Sequence, residues 1–87
     1  PDIYYDLARI YLTQNQEPKA RAVYGALLTH WPDEVPAKVQ LAELWEEEGR
    51  IDEALAMYEI AAEESSSDKY AATRFLEKSL KYRKGVG

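Results

Sequence analysis

Apolar residues recur along this chain at helical spacing and nowhere at the alternation of a strand. In the middle of the sequence Leu41, Leu44 and Trp45 form one stripe, and Ile51, Leu55, Tyr58 and Ala62 form a second. Between them "EEGR" supplies a stop. Gly49 suits the left-handed residue just past a helix end, and Asn15 occupies the corresponding place nearer the N-terminus. Pro18 and Pro36 fit the first turn of a helix, where a missing N–H costs nothing, and Pro32 falls where a helix must end. This punctuation predicts helices near 2–14, 18–30, 36–48 and 52–64. A fifth helix follows, with Asp68 as N-cap and Ala72, Phe75, Leu76, Ser79 and Tyr82 on one face. The fold class is therefore all-α.

The chain also matches itself. Displaced by 34 residues, "LARIYLTQNQEPKARAVYGALL" (7–28) aligns with "LAELWEEEGRIDEALAMYEIAA" (41–62) without a gap. The identities are Leu7/Leu41, Ala8/Ala42, Ala20/Ala54, Ala22/Ala56 and Tyr24/Tyr58, with Tyr11/Trp45 alike in kind. Small and aromatic positions repeat while most charged ones differ, which preserves packing and leaves the surface free. Two antiparallel helices joined by a tight turn approach closely only where small side chains meet. Ala42 and Ala54 are expected to be that contact, with Trp45 and Tyr58 filling the wider ends. A bulkier residue at either alanine would overpack the hairpin at a cost of about 1–3 kcal/mol.

These residues resemble the tetratricopeptide repeat, whose 34-residue helix–turn–helix unit carries a W-x2-L-G-x2-Y, A-x3-F and P pattern. Here the pattern reads Tyr4, Leu7, Ala8, Tyr11, Ala20, Tyr24 and Pro32, then Lys38, Leu41, Ala42, Trp45, Ala54 and Tyr58. Lys38 replaces the first aromatic of the second unit, and Ser66 stands where the proline would be. The resemblance implies a right-handed α-solenoid of antiparallel helix pairs. Its units would be residues 1–34 and 35–68, with 69–87 as a C-terminal capping helix and frayed end. An unfinished third repeat is the alternative for that last helix. In the 34-residue register Leu76 takes the slot of Ala8 and Ala42; as a cap residue it would cover the end of the stack. The six basic residues of the segment would lie on the other face.

Composition and charge narrow the function classes. The chain has 87 residues, enough for one small domain and too few for two cores. No apolar run reaches the ~18 residues of a membrane span, so membrane insertion is not expected. No cysteine is present, which removes disulfides and thiolate metal sites and is neutral as to compartment. The net charge is −5, distributed as −2 over residues 1–34, −8 over 35–68 and +5 over 69–87. Such a pattern makes the molecule electrically polar along its length. It points to intramolecular or head-to-tail support between the acidic block and the basic helix, and it disfavours nucleic acid, which the acidic repeat would repel.

By the resemblance, the inner surface is built by the first helix of each unit: Asp2, Tyr5, Arg9, Leu12 and Thr13, then Pro36, Val39, Glu43, Glu46 and Glu47. Glu43, Glu46 and Glu47 share one helical face. They would make a groove wall for a Lys- or Arg-bearing segment, or else a solvated surface. Arg74 and Lys81 are candidates to join that groove. Well-known members of the family clamp a chaperone's C-terminal carboxylate with Lys and Asn on these inner helices. The matching slots here hold Tyr5, Arg9, Gln40 and Glu43, so that activity is not expected.

A regular helix does not offer the convergent oxygens that a cation needs, so no metal or other cofactor is implied. His30, the only histidine, reads as a capping or packing residue, and "SSS" (65–67) as a linker. With no base placed near a nucleophile and no phosphate loop, the chain reads as a non-enzyme. The function expected is protein–protein interaction, with a peptide or partner helix in a concave, partly acidic groove. The alternative is an assembly module with no free ligand. A preceding repeat would bury Tyr4, Tyr5, Tyr11 and Trp31; without one, some of them would be exposed. The chain starts at Pro1 and carries two and a half units against the roughly three that such stacks need. It therefore reads as a single domain, either a piece of a longer protein or one that self-associates through its uncapped first helix.

Overall fold

The computed structural model describes residues 2–64 and 69–82. Five helices run through them: α1 (Asp2–Thr13), α2 (Glu17–His30), α3 (Val35–Glu47), α4 (Ile51–Glu64) and α5 (Lys69–Lys81). No strand occurs among the described residues. The expected Asp68 cap, Ser66 and its neighbours, and the terminal Arg83, Lys84 and "GVG" lie outside them.

Both hairpins turn by the same device. Asn15 (φ 60°) and Gly49 (φ 84°) adopt the left-handed conformation. Around them the N–H groups of Gln16 and Asn15 reach the carbonyls of Tyr11 (2.8 Å) and Leu12 (3.1 Å). Arg50 and Gly49 bond Trp45 (2.9 Å) and Glu46 (3.0 Å) in the same way. This is a Schellman ending, which satisfies the last carbonyls and reverses the chain within a few residues. Pro18 and Pro36 then lie in the first turns of α2 and α4's predecessor α3, as their missing donors favour.

The turns bring small residues together. Ala8, Ala20 and Ala42 are fully buried and Ala54 is 1% exposed. Ala8 and Ala20 belong to one apolar cluster, with Tyr24 and Leu27 of α2 and Ala37, Leu41 and Leu44 of α3. Ala42 and Ala54 belong to a second, with Val39, Tyr58, Ala61 and Ala71. The protein thus has two small clusters strung along a row of helices, each helix packed mainly against its neighbours in sequence, with α3 also touching α5.

Unit-specific substitutions find local compensation. Tyr4 packs on the end of α2, its ring 6.3 Å from that of His30 and 5.5 Å from that of Trp31. Lys38, 34 residues on, is 9% exposed and pairs with Glu64, the counterpart of His30. An ion pair thus replaces an aromatic contact in the same slot, although burial lowers the Lys38 pKa.

Three expectations need correction. Leu76 does not cover the stack: α5 turns Ala71 and Phe75 toward the core, while Leu76 is 60% exposed. Its basic residues are not segregated outward either, because Arg74, Lys78 and Lys81 reach back to α3. On α1, the side chains left open are aliphatic: Ile3, Leu7 and Ile10 are exposed, while Tyr4, Tyr5 and Tyr11 pack against the first cluster and, of the four aromatics, only Trp31 stays exposed at 40%.

Candidate functional site

The first helices of successive units, α1, α3 and α5, line one side of the molecule, and two clefts open between them. The first has a volume of about 340 Å³ and is lined by Tyr5, Arg9 and Leu12 of α1, Tyr24 of α2, and Pro36 and Gln40 of α3. Tyr5 is held there by a hydrogen bond from its hydroxyl to Glu34 (2.8 Å) and by edge contact with Tyr24, 6.3 Å between ring centres. Burial, then the hydrogen bond to anionic Glu34, push its pKa well up, so it is a neutral hydroxyl at any ordinary pH. Leu12 is half-buried at the cleft edge. Arg9 is exposed and paired with Asp6 one turn before it.

The second cleft, about 330 Å³, lies between α3 and α5 and is lined by Glu43, Glu46, Glu47, Arg74, Lys78, Lys81 and Tyr82. Spacing puts the glutamates on one face of α3, and α5 answers with cations at matching heights. Arg74 bonds Glu43 at 2.7 Å, Lys78 bonds Glu46 at 3.0 Å, and Lys81 stands 3.5 Å from Glu46. Glu46 also accepts hydrogen bonds from Tyr58 (3.2 Å) and Tyr82. Burial would raise the Glu46 pKa, but the bonds from Tyr82 and Lys78, the Lys78 charge and the Tyr58 bond together outweigh it and hold the carboxyl below its usual range. Glu47 remains exposed.

The groove residues read from the sequence are thus distributed unevenly. Tyr5, Arg9 and Leu12 line the first cleft; Glu43, Glu46, Glu47, Arg74 and Lys81 line the second. Val39 does not line a surface: it is fully buried in the second cluster, beneath Ala71 and Phe75 of α5. Sequence reasoning overlooked Lys78 and Tyr82 as partners of Glu46. Their i, i+4 spacing on a basic helix was the available signal. A group of three or more potential metal-ligating side chains is absent among the described residues. No helix among them is long and apolar enough to cross a membrane.

The architecture defines a helical-hairpin repeat protein, a stack of 34-residue antiparallel pairs with a lined inner side. The tetratricopeptide repeat model matches residues 18–78, and the chain belongs to that family. It is similar to a tetratricopeptide repeat domain protein from Salinibacter ruber seen by crystallography: TM-score 0.81, 25% identity, 93% of each chain covered. A solution NMR structure of a tetratricopeptide repeat domain protein from the same organism shares the fold, with TM-score 0.80, 24% identity, 94% of this chain and 85% of the other covered. No curated protein matches the sequence. Tetratricopeptide repeats generally serve as non-catalytic scaffolds for protein–protein interaction.

Proposed function

We propose that the chain binds a segment of a protein partner along its inner side, anchored in the cleft between α1 and α3. The observation that carries this reading is the cleft itself. Tyr5, Leu12 and Pro36 offer apolar surface over the buried Tyr24, while Gln40 and Arg9 supply polar groups that fix orientation. Rigid aromatic side chains beside a few polar ones are the make-up of binding hot spots.

Units 1–34 and 35–68 act in this reading as the scaffold and α5 as the helix that completes the inner side. The acidic wall contributes less to a partner than its charge suggests, because Arg74, Lys78 and Lys81 already neutralise Glu43 and Glu46. A basic group on the partner finds Glu47 open.

The test uses peptides selected from a random 12-residue display library against the whole chain, with affinities measured by calorimetry. Leu12→Ser is expected to weaken them about 10-fold, the loss of one apolar anchor worth roughly 1.4 kcal/mol. Ile60→Ser, on the outer helix α4, should leave them unchanged. Equal effects of both substitutions, or none from Leu12→Ser, would overturn the assignment.

A further inference from the structure

Among the described residues, both ends of the stack expose apolar side chains, and the repeat itself shows what kind of surface covers such an end. Positions three and seven of each unit form an equivalent series: Ile3, Ala37 and Ala71, then Leu7, Leu41 and Phe75. In the second unit Ala37 and Leu41 are 0% and 5% exposed because α2 lies on them. In the third Ala71 is buried and Phe75 half-buried under α4. In the first unit no other described residue covers the series, and Ile3 is 81% and Leu7 39% exposed. Beside them an apolar groove of about 460 Å³ runs between α1 and α2, with Tyr4, Leu7, Tyr11 and Val23 among its walls. Its missing occupant is a helix like α2, which presents Ala20, then Tyr24 and Leu27 one and two turns later.

The opposite end carries a helix of that pattern. On the outer face of α5, Ala72 is followed by Leu76 and Leu80 one and two turns later, with Leu76 60% and Leu80 59% exposed. Outside the α3–α5 ion pairs, one exposed cation of α5, Lys69, and one exposed anion beside Ile3, Asp2, have opposite sign.

We propose that the occupant of the α1–α2 groove is the outer face of α5 from a second copy of this chain, joined head to tail. Because the two patches differ, the contact is heterologous and does not close on itself at two subunits, so assembly continues with concentration. This surface is separate from the inner-side clefts, so partner binding there and self-association stand or fall independently.

Sedimentation equilibrium on the whole chain from roughly 10 μM to 1 mM, the range suited to a small interface, tests it. The wild-type average mass is expected to climb with concentration past that of a dimer. Leu7→Glu removes the groove and Leu76→Glu removes the stripe, so each variant alone should stay at the monomer mass. Their equimolar mixture should recover one dimer and stop there, since one partner keeps a stripe and the other a groove. Ile3→Glu, at the more exposed position, serves as the groove variant if Leu7→Glu lowers the helical circular dichroism. A monomeric wild type at 1 mM, a mixture that stays monomeric, or association that survives Leu76→Glu would each overturn the proposal. The last result would mean that two α1–α2 faces pair with each other.

Discussion

Individual residues in this protein are fixed chiefly by how close two backbones must come. Gly49 and Asn15 occupy equivalent left-handed positions, yet only glycine does so without a Cβ penalty. Gly49→Ala should therefore lower stability by about 1–2 kcal/mol, although no neighbour lies within 4 Å to obstruct the methyl group. Asn15→Gly should change stability by under about 1 kcal/mol, since Asn is tolerated there. Ala54→Leu asks a different question, because it places three extra heavy atoms where 1% of the residue is exposed. A loss of about 1–3 kcal/mol is expected from that overpacking. Chemical denaturation of the three variants checks all these values. These positions were legible in the sequence because small residues and left-handed conformers have few substitutes. Lys38 was not, since its partner Glu64 is 26 residues away and an ion pair in an aromatic's slot breaks the pattern.

Among the elements, α5 departs furthest from its sequence reading. Its stripe of Phe75, Leu76 and Tyr82 suggested one apolar inner face, whereas Phe75 and Tyr82 face inward and Leu76 outward. What decided the rotation is α3. Glu43 and Glu46 offer partly buried carboxylates that Arg74 and Lys78 reach on the same face of α5 that packs Ala71 and Phe75 on the second cluster. Periodicity cannot foresee this, because it registers the apolar stripe of one helix and not the charges facing it.

Two predictions belong to this scale. Glu46→Gln should destabilise α5 docking by about 1–3 kcal/mol, because Lys78 keeps its partly buried charge without a counter-ion. Amide exchange of α5 and helical circular dichroism during denaturation would register the loss. The pH dependence follows from the direction of the Glu46 shift. Its folded pKa lies below the ordinary 4.5, so its contribution is complete above that value. The contribution is lost as pH falls through the depressed folded value. Acid titration should loosen α5 in that window, and Glu46→Gln should flatten that part of the profile.

As a whole molecule, the chain is a row of nearest-neighbour contacts rather than a ball around one core. Helix α3 buries six residues, while α1 and α5 bury one each, Ala8 and Ala71. Amide exchange should therefore be slowest in α3 and faster in α1 and α5 by local opening energies about 1–3 kcal/mol smaller. Equal protection in all five helices would show a more cooperative unit than the contacts describe. The repeat period made this architecture readable from sequence, and the helix boundaries fell within a residue or so. The two open ends were less readable: which side chains stay exposed depends on what stacks beyond them, and tyrosine content pointed to the wrong residues of α1.

The inner side is where a partner is placed, so the most direct measurement is an amide chemical-shift map. The isotope-labelled chain would be titrated with a peptide selected against it, as above. The expected result is a contiguous set of shifts on α1 and α3 around Tyr5, Arg9, Leu12 and Gln40, extending toward Glu47. Shifts confined to the outer helices α2 and α4, or to the Ile3–Leu7 end of α1, would contradict it.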